Sequence, residues 1–224
     1  MIMSKIKKVV APTLFGFFGV SLLLYLCFWQ VGRLEWKQEL LERIEKKLNA
    51  PPVSLPTSVS EKNDQYLKVV TDGYFLKSEI HILTSQKFKG PGFRVITPFV
   101  TKSGPIILVD RGFVAEEKKE SIRRNGSAFV TGNLLWPDET DIFTPQPNIK
   151  KNIWFARDIK SMSSHLNTEP ILLVVESESP YTELIEPMPI SINIPNNHLQ
   201  YAITWFSLAL IWFSMSIYFI WSRR

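Results

Sequence analysis

The chain has 224 residues, 45% of them hydrophobic, and a formal net charge of +5. All 21 acidic residues lie from Glu35 to Glu186, while five of the 26 basic residues lie at the two termini, so the middle of the chain carries no net charge. A neutral middle lacks the basic face that a nucleic-acid-binding domain needs. The single cysteine, Cys27, lies in an apolar run, which excludes a disulfide within the middle segment and a cysteine-based zinc site.

The first predicted element is a membrane span over residues 9–32, which contain no charged side chain. At about 1.5 Å per residue, a helix of this length exceeds a hydrocarbon core of roughly 30 Å. The run is longer than the apolar core of a signal peptide, and it ends in Phe28-Trp29-Gln30 without a small-residue cleavage site. It therefore predicts an uncleaved anchor. Residues 1–8, with three lysines, predict a basic cytoplasmic N-terminus.

Residues 33–50 predict an amphipathic stalk helix, because apolar residues recur at helical spacing from Leu34 to Leu48. Pro51-Pro52 ends this helix. One interpretation is a rigid stalk that holds the next domain away from the membrane. The alternative is a functional cluster at the outer membrane interface, formed by Trp29, Gln30, Arg33 and Trp36.

Residues 51–197 predict an extracytoplasmic domain of α+β class, mainly antiparallel β and closing toward a barrel or sandwich. A helix is expected over residues 158–166, with Asp158 as its N-cap. A hairpin is expected across Thr101–Pro105, and residues 178–195 read as a proline-rich, irregular connector. The predicted strands are Tyr66–Phe75, Glu79–Ser85, Phe93–Val100, Ile106–Val114, Ala128–Leu135, Asn152–Arg157 and Ile171–Glu176.

The last predicted elements are a second membrane span over residues 198–222 and a short cytoplasmic end, Arg223–Arg224. Two spans place both termini on one side of the membrane, and basic residues at both ends indicate that this side is the cytoplasm. The middle domain is then periplasmic. The N-terminus is too short and too poor in Ser and Arg for a mitochondrial transit peptide, so we expect a multi-pass protein of the bacterial inner membrane.

Two positions could carry chemistry. His198 lies where the second span begins, where an imidazole either ligates a metal or haem iron or lies among lipid headgroups. Arg111, in Asp110-Arg111-Gly112-Phe113, either forms a local ion pair before a glycine turn or holds a propionate by bidentate hydrogen bonds. No G-x-S-x-G, P-loop or H-E-x-x-H motif is present in the sequence, so an enzyme is not expected.

Four segments of the chain match motifs of one family: Trp29-Gln30-x-x-Arg33-Leu34-x-Trp36-Lys37, Gly90-x-Gly92-x-Arg94-Val95-x-Thr97-Pro98, Ile107-Leu108-Val109-Asp110-Arg111-Gly112, and Pro195-Asn196-Asn197-His198-Leu199-Gln200-Tyr201-Ala202-x-Thr204-Trp205. With these segments the chain resembles the Surfeit locus protein 1 family in its bacterial form, whose members are assembly factors for haem-copper cytochrome c oxidase. The resemblance runs in order along nearly the whole chain. The chain has Phe113 where the family usually has Trp, Asp110 where it has Asn, and Phe28 where it has Gly.

The resemblance implies a protein without catalytic turnover that binds haem a and helps to place it in oxidase subunit I, with His198 as the iron ligand. The implied partners are subunit I, haem a synthase and membrane lipids, and no nucleic acid. Haem needs an axial ligand, an apolar slot and a partner for its propionates. The remaining residues of the expected haem site are the aromatic Trp29, Tyr201 and Trp205, and the cationic Arg33.

Two other functions are weighed against haem binding. One is a membrane scaffold that holds oxidase subunits together through its β domain and binds no haem. The other is a membrane enzyme acting on a lipid or quinone, for which the sequence offers no polar catalytic constellation. A haem absorption band on the purified protein separates haem binding from the haem-free scaffold.

Overall fold

The structure is a computed structural model that describes residues 2–121, 125–191 and 196–222, with the backbone alone for residues 2–9. The chain forms two compact units, residues 1–43 with 192–224 and residues 44–191. Three predicted features lie outside the described residues: the C-terminal Arg223–Arg224, the first residue of the N-terminal segment, and Pro195 of the last matching segment.

Helix α1 runs without interruption from Ile2 to Leu48 and so contains both the predicted span and the predicted stalk. Helix α4, His198–Ser222, coincides with the predicted second span. Each helix has an apolar window of which only 6% is buried, so neither resembles the core helix of a soluble domain. Pro12 lies inside α1, a position that membrane helices tolerate. The expected class, a membrane protein with two spans flanking a β domain in the sequence, is confirmed.

In the first unit, helices α1 and α4 approach closely at small residues. A Cβ atom added to Gly16 would lie 2.8 Å from the Ser216 hydroxyl, and one added to Gly19 would lie 2.3 Å from the Trp212 ring nitrogen. Gly16 thus faces Ser216, and Gly19, further along α1, faces a residue earlier in α4. The helices are therefore antiparallel. Small residues at such contacts let helix backbones approach each other in a lipid environment.

The second unit is built around a closed β barrel. Strands β2, β6, β7, β5 and β4 are neighbours in that order, and pairing of β2 with β4 closes the ring, while β1 and β3 extend it at its edges. The β1–β2 and β5–β7 pairs are parallel, and all other strand pairs between described residues are antiparallel. The mainly antiparallel prediction is confirmed. The strands are β1 Val53–Ser54, β2 Lys68–Phe75, β3 Ile80–Gln86, β4 Gly90–Thr101, β5 Ile106–Ala115, β6 Gly126–Leu134 and β7 Leu172–Ser179.

Two apolar cores lie on opposite faces of the sheet, because successive side chains of a strand point to opposite sides. The first core fills the barrel and includes Phe99 and Val109, both fully buried. The second includes Ile96 and Leu108 and is covered by helix α3, Ile159–Leu166, through Met162. Two short helical segments, Glu116–Lys118 and Ile149–Lys151, and a single turn of helix, α2 at Glu61–Asp64, complete the unit.

Most local predictions in this unit are confirmed. Asp158 caps α3 by accepting a hydrogen bond from the Ser161 amide at 3.2 Å. The β4–β5 hairpin is closed by a hydrogen bond from the Thr101 amide to the Pro105 carbonyl, 3.0 Å long. In the connector, β7 continues to Ser179, and Glu186 forms an isolated bridge with Phe113 of β5.

The predicted strand Asn152–Arg157 is wrong. The segment makes only isolated bridges, including one between Trp154 and Ile82 of β3. It begins with Asn152 in the left-handed conformation, directly after the helical turn Ile149–Lys151, so the backbone enters it from a bend. The alternation of apolar residues that suggested a strand instead places the Trp154 ring in the core beneath α3.

Candidate functional site

The predicted ligand His198 is the first residue of α4, and it is hydrogen-bonded to Gln30 of α1. The two atoms, Nδ1 of His198 and Oε1 of Gln30, are 2.8 Å apart. Gln30 is 8% exposed, whereas most neighbouring side chains of the span are open to the surroundings. Two polar side chains 168 residues apart in the sequence are therefore joined at the end of the helix pair where α4 begins.

The spacing of small residues explains why these two residues meet. In α1, Gly16 and Gln30 are fourteen residues apart, about four helical turns, so both lie on the side that faces α4. In α4, Ala202 lies four residues after His198 and Ala209 lies seven residues after Ala202, so the three residues share one face of the helix. Both alanines are buried. Because Gly16 contacts Ser216 in an antiparallel pair, residues near position 30 come level with residues near position 198.

The aromatic residues of the expected site lie within two helical turns of Gln30 or His198 along the chain and are at least partly exposed. Trp29 precedes Gln30 and is 50% exposed, and Tyr201, one turn into α4, is 53% exposed. Trp205 is half-buried and lies seven residues from His198, on the same face of α4. Apolar ring surface is thus available on both helices near His198.

Arg33 lies one turn beyond Gln30 in α1, and its guanidinium carbon is 4.4 Å from the centre of the Trp36 ring. This distance is within the range of a cation–π contact between the guanidinium and the indole. This contact joins two members of the interface cluster that the sequence suggested. Arg33 is exposed, so a charged group could reach it.

Sequence reasoning did not include Gln30 among the ligand-binding residues. Two features of the sequence could have identified Gln30. It is a strongly polar side chain in a charge-free span, and it lies at helical spacing from Gly16, on the face of α1 that packs against α4. A second overlooked feature is Asn196, just before α4. Its side-chain oxygen is buried and has no hydrogen-bond partner among the described residues.

The other candidate, Arg111, is occupied by a long-range ion pair. Its Nε and Nη2 atoms donate to the two carboxylate oxygens of Glu178 on β7, at 3.1 and 2.8 Å. Both side chains are buried, and the guanidinium also lies over the Phe75 ring at 4.2 Å. The ion-pair interpretation is therefore the correct one, although the partner is distant in sequence. The alternative, a guanidinium open to a propionate, is wrong.

Asp110 belongs to a separate buried network. Its Oδ2 atom accepts from Arg94 Nε at 2.8 Å and lies 3.5 Å from Arg157 Nη1. Complete burial raises the pKa of the Asp110 carboxyl, against the opposing charges of both arginines. Burial also acts to raise the pKa of Glu139, but the hydrogen bonds and charge of Arg157 outweigh it and lower that pKa. Arg94 further donates to the Met188 carbonyl at 2.9 Å, so the network fixes the connector to the barrel.

The glycine of the same motif has a backbone role. Gly112 has a φ of +120°, and a Cβ atom there would lie 2.0 Å from the Glu186 carbonyl oxygen. Only glycine adopts this conformation readily and admits the connector backbone at that distance. The motif Asp110-Arg111-Gly112 is thus explained by the packing of the β domain.

An open groove of about 520 Å³ lies where β6 begins and where β2, β4 and β7 end. Its lining includes Tyr74 and Phe129, which are 47% and 64% exposed, and the ion pair of Lys102 with Asp72 at its rim. In the part of the chain that the structure describes, no group of three or more His, Cys, Asp or Glu side chains is arranged to hold a metal ion.

Fold and site together define a class of protein: a two-span membrane protein with a central β barrel and a histidine-bearing helix pair. Comparison with known proteins gives the family. The family model described as the SURF1 family matches residues 17–210, and the chain belongs to this family.

Among its relatives are SURF1-like proteins of Rickettsia prowazekii (strain Madrid E) and Rickettsia bellii (strain RML369-C). They are 32% and 33% identical to it over 208 and 200 residues. These alignments cover 86% and 84% of this chain and 82% of each relative. Surfeit locus protein 1 of Gallus gallus is 28% identical over 223 residues, which cover 88% of this chain and 69% of the chicken protein.

Proposed function

We propose that this protein is an assembly factor for haem-copper cytochrome c oxidase that binds haem a between its helices and helps to deliver it to subunit I. Membership of the SURF1 family implies a role in oxidase assembly. The observation that carries haem binding is the state of His198. Its Nδ1 atom is engaged by Gln30, while its Nε2 atom has no hydrogen-bond partner among the described residues.

The side chains around His198 fit a haem group. Haem requires an axial ligand, apolar surface against the porphyrin, and cations near its propionates. His198 offers a ring nitrogen, and the half-exposed Trp29 and Tyr201 offer aromatic faces on two helices. Arg33 offers an exposed guanidinium, a group that binds carboxylates through its N–H groups. When bound, the haem would supply an iron atom that accepts a neutral imidazole as ligand.

The same reasoning gives a location and partners. Positive charges at both ends of the chain favour cytoplasmic termini, and therefore a barrel on the periplasmic side of a bacterial inner membrane. A haem site where α4 begins would then lie near the outer membrane interface. From there the haem could pass between haem a synthase and oxidase subunit I, surrounded by membrane lipids, without contact with nucleic acid.

We propose carriage of a cofactor rather than catalysis. The acid of the β domain whose pKa burial raises, Asp110, is paired with two arginines inside the fold and so has no access to a substrate. The polar pair of the helices, Gln30 and His198, suits ligation and release of a bound group. A transient carrier binds the haem and releases it, and this requires no bond within the haem to be broken.

The test is a spectrum of the full chain purified from cells that make haem a. We expect a Soret band in the wild-type protein and little or none in His198→Ala, because the alanine removes the iron ligand but leaves α4 apolar. His165→Ala is the matched control, since it removes an exposed imidazole from the end of α3. Full haem occupancy in His198→Ala, with an unchanged Soret position, would refute the ligand assignment.

A haem-free scaffold is the second candidate function, and the groove beside Tyr74 and Phe129 favours it. Exposed aromatic side chains of this kind are enriched at protein interfaces, and an oxidase subunit is the occupant that family membership suggests. If the wild-type chain proved free of haem, while a Tyr74→Ser and Phe129→Ser double variant lost co-purification with oxidase subunits, the scaffold would be favoured. Retained co-purification would count against it.

A further inference from the structure

We infer that Gln30 is a positioning residue that fixes His198 in the tautomer with the proton on Nδ1 and so keeps Nε2 free to bind a ligand. This inference rests on the proposed haem-binding function, since it names the residue that prepares the ligand. It concerns the polypeptide alone and can be tested without haem.

The hydrogen-bond geometry dictates the tautomer. The atom of Gln30 that faces the ring is the carbonyl oxygen Oε1, which can only accept, so Nδ1 at 2.8 Å must be the donor. A neutral imidazole carries one N–H, and its other nitrogen has a lone pair. The Nε2 atom of His198 therefore presents a lone pair, which is the form that binds a metal. Metal-binding histidines commonly donate the other ring N–H to an oxygen acceptor in this way.

The position of Gln30 favours such a role over a general contribution to helix packing. Other contacts of the helix pair among the described residues do not depend on a hydrogen bond between the helices: Gly16 lies against Ser216, Gly19 lies against Trp212, and the Phe15 and Trp212 rings are 5.4 Å apart. An amide inside a span is unfavourable unless it is satisfied, and Gln30 is 8% exposed with His198 as its partner. The glycine contacts set the register of the two helices, so the amide oxygen and the imidazole are held opposite each other.

The opposite orientation of the amide makes a distinct prediction. If the NH2 group of Gln30 faced the ring, it would donate to Nδ1, the proton would lie on Nε2, and the histidine could not bind a metal through Nε2. Gln30→Glu distinguishes the two arrangements, since an ionised carboxylate accepts and cannot donate. Gln30→Met removes both functions at similar side-chain length.

The experiment uses the full chain in lipid nanodiscs, free of haem, labelled with ¹⁵N at its three histidines. His198→Ala identifies the His198 resonances, and the spectra are taken at alkaline pH. We expect a protonated Nδ1 and an unprotonated Nε2 in wild type and in Gln30→Glu, and exchange between both tautomers in Gln30→Met. The matched control is Gln38→Leu, since Gln38 is an exposed glutamine further along α1.

The same proteins are then titrated with ferric protoporphyrin IX. Loss of a residue that orients a metal ligand weakens metal binding by about 10- to 100-fold. We expect a loss of porphyrin affinity of this size for Gln30→Met. The porphyrin affinities of Gln30→Glu and Gln38→Leu should stay within about threefold of the wild-type affinity. A proton on Nε2 in the wild-type protein, or an unchanged His198 tautomer in Gln30→Met, would overturn the inference.

The two proposals fail in different ways. If the tautomer is as expected but the wild-type protein binds no porphyrin and carries no haem a from cells, then the proposed function is wrong and the assignment of Gln30 stands. If the wild-type protein binds porphyrin with the proton of His198 on Nε2, then haem binding survives and the role of Gln30 is wrong.

Discussion

The buried pair of Arg111 and Glu178 gives the sharpest prediction for the β domain. We consider Arg111→Met, which keeps much of the side-chain volume and removes the charge. Glu178 then remains only 4% exposed without its bidentate partner. Breaking a buried ion pair by removing one partner destabilises a protein by about 3–5 kcal/mol, because an uncompensated charge stays in the interior. Domains are stable by only about 5–15 kcal/mol, so this loss is a large fraction of the total.

A double variant separates the charge effect from the loss of packing. In Arg111→Met with Glu178→Leu, no charge remains unpaired, so most of the lost stability should return. Lys102→Met is the matched control. It breaks an ion pair with Asp72 whose partners are 3.3 Å apart and whose side chains are 80% and 40% exposed. An exposed pair contributes about 0–1 kcal/mol.

The assay is a urea titration of the full chain in detergent micelles, read by pulse proteolysis of the β domain. With a urea dependence of about 1–3 kcal/mol per molar, Arg111→Met should lower the midpoint by at least about 1 M. The reasoning is refuted if Arg111→Met loses no more stability than Lys102→Met. It is also refuted if the double variant is as unstable as Arg111→Met alone.

Four further predictions follow from the same structure. Glu139 has a pKa lowered by Arg157, so its ion pair contributes stability above the ordinary carboxyl pKa of 4.5, and that contribution is lost as the pH falls through the lowered value. Glu139→Gln should therefore lower the free energy of unfolding by less than about 1 kcal/mol at pH 7, because the Glu139 side chain is 37% exposed. In urea titrations at acidic pH, this difference in stability from wild type should vanish. Gly16→Val should separate α1 from α4 at Ser216, because a Cβ atom at Gly16 would lie 2.8 Å from the Ser216 hydroxyl. This separation should weaken porphyrin binding by about tenfold in the spectroscopic titration. Unchanged binding would contradict the register of α1 against α4. Arg33→Ala should give a milder loss of haem than His198→Ala, since a propionate partner orients the ring without supplying the iron bond; an equal loss in haem occupancy would contradict this division of roles. A reporter fused after Arg224 should be active in the cytoplasm, and activity only in the periplasm would contradict the proposed orientation.

Features that depend on neighbouring residues in the chain could be predicted from the sequence. The two charge-free runs specify membrane helices because a span depends on length and apolar composition alone. The first six predicted strands after the stalk are marked by alternation of apolar and polar residues and by glycine or proline turns. Five of these six form strands in the structure. Asp158 could be assigned as a helix cap because capping joins atoms three residues apart, here the Asp158 carboxylate and the Ser161 amide. In each case the determining interaction is local.

The tertiary structure decided the features that depend on distant partners. Residues 152–157 have the alternation of a strand, but no strand among the described residues pairs along their length. The Trp154 ring enters a core formed by other elements. The sequence left two roles open for Arg111, a local ion pair or a propionate contact. The parallel neighbour of β5 is β7, which brings Glu178 to Arg111 from 67 residues away. Gln30 and His198 each lie at the end of a span, where polar residues are common. They meet because the contacts of Gly16 and Gly19 set the register of α1 against α4. Sequence patterns report burial, whereas the identity of a hydrogen-bond partner depends on which surfaces meet when the chain folds.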